Sequence, residues 1–156
     1  MELQMTDRTP QGLIRTVKAM IDEDLPLVSN LANLSRVLYD GFSHVFWAGF
    51  YLSDETRSVL YLGPYQGTLA CTKIAFGKGV CGAAALKKEA VLVPNVHEFA
   101  GHIACSSESN SELVVLILKN GETVAVIDLD SKNYSNFTQE DAETLTEIAS
   151  VIAELF

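Results

Sequence analysis

The chain has 156 residues, with 11 Lys and Arg against 20 Asp and Glu and a formal net charge of −9. At about 150 residues per domain this length predicts one domain over 1–156, large enough to bury about two-thirds of the surface its unfolded chain exposes. Its 48% hydrophobic and 20% charged residues exclude a disordered tail, and the acidic balance without a basic stripe excludes nucleic acid and anionic membrane surfaces as partners.

The longest purely apolar run, Leu113 to Leu118, is far below the roughly 18 residues of a membrane span. Glu2, Asp7, Arg8 and Gln11 interrupt the first twenty residues, which do not read as a signal peptide. The expected compartment is the cytoplasm, where the three cysteines stay reduced, and their odd number argues against a structural disulfide framework.

After Pro10, the residues Leu13, Val17, Met20 and Ile21 recur at helical spacing, and Leu27, Leu31, Leu34 and Leu38 do so again. These two helices fill about 10–40. The aromatic segment 44–52 predicts a strand, 54–58 a turn, 59–65 a second strand and the alternating stretch 69–76 a third. Residues 79–88 predict a short helix, and 90–94 a strand stopped by Pro94. From 95 to 111 there is no period, and a loop this long in a compact domain is often functional. The runs 112–118 and 123–130 form a hairpin around the turn 119–122. Thr138 then caps a helix over about 138–155, with Asp141 at the capping-box position and Ala142, Leu145, Ile148, Ala149 and Ile152 as its buried stripe. Adjacent strands joined by short turns predict an antiparallel sheet, hence an α+β fold with the sheet and a pocket over about 44–131.

Three features carry candidate chemistry. Cys71, Cys81 and Cys105 are too far apart for a C-x-x-C motif, and no close pair of ligands seeds a metal site, so none is expected. All three can be small core side chains. Two details raise a reactive reading: Cys81 lies near a helix start, where the dipole can stabilise a thiolate, and Cys105 lies in the long polar loop, just after His102. The residues alone do not rank these two as nucleophile. Asp128 and Asp130, two apart on an apolar strand, point to one face, which must then hold water, a cation or a proton. Asp130 opening the following turn is the plainer alternative. Glu112 opens the partner strand, and its direction depends on the turn. A two-residue Asn120-Gly121 loop pairs it with Leu129, away from both aspartates, whereas a three-residue loop with a left-handed Gly121 pairs it with Asp128. Trp47 alternates with Gly49 and Tyr51 on the first strand and can either pack in the core or wall a pocket.

The blocks WAGFYL (47–52), LGPYQG (62–67), GKGVCG (77–82), VPNVHEFAGHIAC (93–105), SNSE (109–112) and IDLDS (127–131) resemble those of the free methionine-(R)-sulfoxide reductases, small stand-alone GAF domains. The likeness spans about 30 to 141. It implies a GAF-like, six-stranded antiparallel sheet flanked by helices, with a pocket over one face. It implies Cys105 as the catalytic cysteine, Cys71 as its resolving partner and Cys81 as an alternative partner. It also implies Glu112, Asp128, Asp130 and Trp47 as substrate-binding residues. The implied substrate is free methionine-(R)-sulfoxide, and the implied assembly is a homodimer without a bound cofactor, recycled by thioredoxin as external reductant. Two positions depart from the family pattern, with Ser106 in place of Asp after the catalytic cysteine and Leu116 in place of Pro in the following strand.

The implied chemistry requires the Cys105 thiolate to attack the sulfoxide sulfur while the oxygen leaves as water, so at least one pocket carboxyl must be neutral. Three crowded acids raise one another's pKa, and those that stay charged can hold the substrate ammonium. The three-residue turn is the expected one, because it brings Glu112 level with Asp128. The alternative function is a GAF module that binds a small molecule or senses redox state without catalysis.

Overall fold

The computed structural model describes residues 7–103 and 105–156. Residues 1–6, which the expected domain includes, and Ala104, inside the expected long loop, lie outside the described residues. Two helices open the fold, α1 (Pro10–Met20) and α2 (Leu27–Gly41). The Thr9 hydroxyl accepts from the Gly12 amide at 3.1 Å, and Pro10 occupies the first turn, where its missing N–H costs nothing. Strands β1 (Val45–Ser53), β2 (Val59–Gly67) and β3 (Lys73–Ala75) follow, then α3 (Gly79–Lys87), β4 (Val91–Val93), β5 (Ser111–Lys119), β6 (Glu122–Ser131) and α4 (Gln139–Ile152). A capping box starts α4, the Asp141 amide donating to the Thr138 hydroxyl at 3.1 Å and the Thr138 amide to the Asp141 carboxylate at 2.9 Å.

The six strands form one antiparallel sheet in the order β3-β2-β1-β6-β5-β4. Alternation along β1, β5 and β6 divides the side chains between its two faces. Ala48, Phe50, Leu113, Val115, Ile117, Ala125, Ile127 and Leu129 pack with buried residues of α1, α2 and α4 in the main core. Trp47, Tyr51, Val114 and Val126 face the other way and pack against Val80, Cys81, Ala84 and Ala85 of α3. The fold class, the element order and the Thr138 cap are as expected from the sequence.

Two local expectations are corrected. The strand expected over 69–76 is reduced to Lys73–Ala75. The segment before it is held to side chains of β1 instead: the Trp47 indole donates to Thr68 O at 3.0 Å and the Tyr51 hydroxyl to Cys71 O at 2.9 Å. The hairpin turn is also not the three-residue form. Lys119 pairs with Glu122, leaving the two-residue loop Asn120-Gly121, both at positive φ (52° and 77°) as a type I′ turn requires. A bulge follows at once: Leu118 pairs with Thr123 but Ile117 with Ala125, so Val124 is an extra residue on β6. That extra residue moves the register by one and sets Glu112 opposite Asp130, instead of opposite Asp128 as expected or Leu129 as an unbulged two-residue hairpin would give.

Candidate active site

The pocket lies on the α3 face, over the centre of the sheet. Asp130 pairs with Trp47 on one side and Glu112 on the other, and Asp128 with Gly49 and Val114. The bulge at Val124 thus brings Glu112 to the face that Asp128 and Asp130 share, and all three border one cavity of about 50 Å³ together with Trp47, Cys81 and Cys105. By the scale of a water-sized probe, that volume holds a few waters. Gly49 is required here, because a Cβ on it would lie 2.3 Å from Tyr65 Cβ and 2.8 Å from the Trp47 ring. Its absence lets Trp47 lie flat across the strand, stacked between Tyr51 and Tyr65 at centroid distances of 5.9 and 5.1 Å.

The carboxyls are held in unusual surroundings. Glu112 and Asp128 are 6% and 5% exposed, and Asp128 Oδ1 is buried without a hydrogen-bond partner. Asp130 accepts from the Ser109 hydroxyl at 2.9 Å. Burial raises the pKa of Glu112, with the neighbouring charges of Asp128 and Asp130 adding to it. Burial raises Asp130 likewise, and then Asp128 beside it, while the Ser109 hydroxyl opposes the shift. Asp128 is raised by burial to about 6, limited by hydrogen bonding with Glu112, Cys81 and Asp130. The cluster therefore retains protons near neutral pH and has room in its electrostatics for an incoming cation. Ligand atoms of Cys81, Glu112 and Asp128 lie within 4.8 Å of one another, so a metal ion, an ammonium group or protons could each meet that requirement.

The cysteines separate into two kinds. Cys71 and Cys105 are joined by a disulfide with Cα atoms 5.3 Å apart, linking the segment after β2 to the long loop before β5. Cys81 is a free thiol, 4% exposed. The thiolate expected from its place at a helix start is not favoured: burial first, and then the acids Asp128, Glu112 and Asp130, push its pKa up. The helix dipole is outweighed because the same end of α3 is packed against the carboxyls. His102 also borders the pocket, and burial followed by the nearby His97 lowers its pKa, favouring the neutral ring.

Six of the seven site residues expected from the sequence border this pocket, and Cys71 joins them through its disulfide to Cys105. Sequence reasoning missed two supports. Tyr51, with Trp47, anchors the Cys71 segment, and its trace was the W-x-G-x-Y alternation of β1. Ser109 holds Asp130, and its trace was the SNSE block.

The fold and this pocket define a class. The GAF domain family matches residues 27–156. The chain is 41% identical over 148 residues to the free methionine-R-sulfoxide reductase of Saccharomyces cerevisiae, covering 91% of this chain and 82% of that one. It is 36% identical over 143 residues to the free methionine-R-sulfoxide reductase of Escherichia coli, covering 92% and 86%. The X-ray structure of the free methionine-R-sulfoxide reductase from Neisseria meningitidis in complex with its substrate superposes with a TM-score of 0.90 at 38% identity, covering 100% of this chain and 94% of that one. The chain belongs to the GAF domain family and, within it, to the family of the free methionine-R-sulfoxide reductases.

Proposed function

We propose that the protein reduces free methionine-R-sulfoxide to methionine, with Cys105 as nucleophile and Cys71 as resolving thiol. The observation that carries this reading is a disulfide between Cys71 and Cys105 at a pocket lined by three carboxyls, two of them buried. The Cys105 thiolate attacks the sulfoxide sulfur, a neutral pocket carboxyl protonates the oxygen, and the oxygen passes to Cys105 as a sulfenic acid while methionine leaves. The Cys71 thiol then displaces that oxygen as water, giving the disulfide, which a thioredoxin-class dithiol reduces by exchange. The retained charge of Glu112, Asp128 and Asp130 holds the substrate ammonium, and Trp47 walls the pocket beside them. Cys81, a buried thiol whose pKa is raised by burial and by the neighbouring acids, stays neutral in this scheme and is the less accessible alternative partner.

Incubation with racemic free methionine sulfoxide and dithiothreitol tests the proposal. Consumption should stop at about half, because one sulfur epimer is accepted. N-acetylation removes the ammonium that the acids need and should cost roughly 10³-fold or more in rate. Equal rates on both compounds would reject the pocket as drawn. A GAF module that only binds or senses would consume neither. The family resemblance supports a homodimer, a cytoplasmic setting and activity over 1–156 as one domain without a bound cofactor. No described helix is long and apolar enough to cross a membrane. Gel filtration tests the dimer, and turnover by protein treated with a chelator tests independence from metal.

A further inference from the structure

Cys81 is a buried thiol that the catalytic scheme leaves idle, and it stands beside two of the acids. Its Sγ and one carboxyl oxygen each from Glu112 and Asp128 lie within 4.8 Å of one another, and all three residues line the pocket. Asp128 is 5% exposed, and its Oδ1, sealed from solvent, has no hydrogen-bond partner. An orphaned oxygen of this kind calls for a donor or a cation. Among the described residues no Lys or Arg forms an ion pair with either acid. The donor set selects the ion. Mg²⁺ and Ca²⁺ take oxygen ligands, whereas Zn²⁺ accepts thiolate and carboxylate together. Zn–S bonds of about 2.3 Å and Zn–O bonds of about 2.0–2.2 Å set tetrahedral ligands roughly 3.3–3.8 Å apart, so the three atoms need to close by about 1.5 Å at most. Glu112, the longest of the three side chains, has the torsions to do so. The cavity of about 50 Å³ leaves room for a water as fourth ligand.

We propose that the pocket binds one Zn²⁺ through Cys81, Glu112 and Asp128, and that the bound ion blocks the reductase. The block rests on the reading of these acids as ammonium holders and proton donor, whereas the binding stands without it. On binding, the S–H bond of Cys81 breaks and a Zn–S bond forms. The proton passes to water, as does any proton held by the two carboxyls, and no electron moves. The ion then neutralises the charge that the substrate ammonium needs and displaces the proton that the sulfoxide oxygen needs. It is an inhibitor and not a cofactor.

The disulfide-oxidised full chain isolates the site, because with Cys71 and Cys105 bridged Cys81 is the one thiol left. Titration with Co²⁺, a stand-in for zinc whose bond to thiolate absorbs in the near ultraviolet, should give a charge-transfer band that saturates at one equivalent. Zn²⁺ should abolish the band and excess Mg²⁺ should not. Cys81→Ser should lose the band, and Asp128→Asn should weaken Co²⁺ binding about tenfold or more, with circular dichroism confirming that both variants fold. No band in the wild type, a band that survives Cys81→Ser, or unchanged affinity in Asp128→Asn would overturn the site. The block is read in a single turnover of the reduced chain without dithiothreitol, which itself binds zinc. One equivalent of Zn²⁺ should slow methionine formation about tenfold or more, and EDTA should restore it. Cys81→Ser, compared with its own zinc-free rate, should be inhibited far less, and equal inhibition would place the ion on Cys105 and overturn the block. A band without inhibition would overturn the block and the catalytic role of the two acids, and leave the metal site standing. A zinc-free reduced chain that forms no methionine would reject the catalytic reading and the block with it, while the cobalt band still decides the site.

Discussion

On β6, Ala125, Ile127 and Leu129 enter the core under α1, α2 and α4, while Asp128 and Asp130, their immediate neighbours in sequence, enter the pocket beside α3. The first face is continuous hydrocarbon, with Phe50, Leu113 and Ile127 fully buried. The second face mixes apolar residues with three carboxyls and a thiol, and one buried carboxylate oxygen has no partner. Stability is concentrated on one side of the sheet, and that surplus allows strained chemistry to persist on the other. Substitutions should therefore separate: those on the α3 face change catalysis, and those on the opposite face change folding.

The sharpest separation is expected at Cys105. Cys105→Ser should abolish turnover, while Cys71→Ser should yield about one product per site and then stop, with urea midpoints under reducing conditions close to the reduced wild type. A Cys105→Ser protein that still turns over would remove the nucleophile from the scheme. The opposite face gives the next effect. Phe50→Ala should lower stability by about 3–5 kcal/mol in urea unfolding, while the activity of the fraction that remains folded stays near the wild type. Loss of specific activity in that folded fraction would show that the two faces are coupled.

The acids come third. Replacing Glu112, Asp128 or Asp130 by its amide should cost about 2–4 kcal/mol of transition-state stabilisation, seen as a roughly 30- to 1,000-fold fall in kcat/KM. The proton donor should be recognised by a lower kcat and the ammonium holders by a raised KM. Three amide variants with wild-type kinetics would leave only the cysteines in the mechanism.

The same cluster should mark the pH dependence of stability. Its carboxyls hold protons in the folded state that the unfolded chain releases, Asp128 shifting from 3.8 to about 6 through burial. Their contribution is complete below the unfolded value and is lost as pH rises through the folded one. Asp128→Asn should remove part of that slope and gain on the order of 1–3 kcal/mol relative to the wild type at neutral pH. Urea midpoints at pH 4 and 7.5 measure it, and parallel profiles for the two proteins would contradict it. The smallest effect is at the cap, where Thr138→Ala should cost about 1 kcal/mol of stability and leave kcat unchanged.

Much of this division was legible in the sequence, for physical reasons. Periods of two and 3.6 placed the strands and helices, and the T-x-x-D signature placed the start of α4. Asp128 and Asp130 announced a polar face because carboxylates two apart on a strand must share one. What stayed hidden depends on contacts distant in sequence. Residues 69–72 alternate as a strand does, but the segment there is held to the side chains of Trp47 and Tyr51, some 20 residues earlier. Cys81 stands at a helix start, but nothing local says that the helix start is packed against acids. Val124 gives no sign of a bulge, since a β-branched residue fits a regular strand equally well.

That bulge bears on how the gene can change in length. In the hairpin of β5 and β6, Val124 is the one residue without a cross-strand partner of its own between Thr123 and Ala125. Deleting it should convert the bulge to regular pairing and leave Glu112 opposite Asp130. A single-residue deletion elsewhere near the turn can be absorbed by straightening the same place. An insertion has no such outlet: it must lengthen the loop, add a second bulge, or rotate Glu112 to the hydrocarbon side. Shortening by one codon near the tip is thus compatible with the acid cluster, whereas lengthening the strand itself is not.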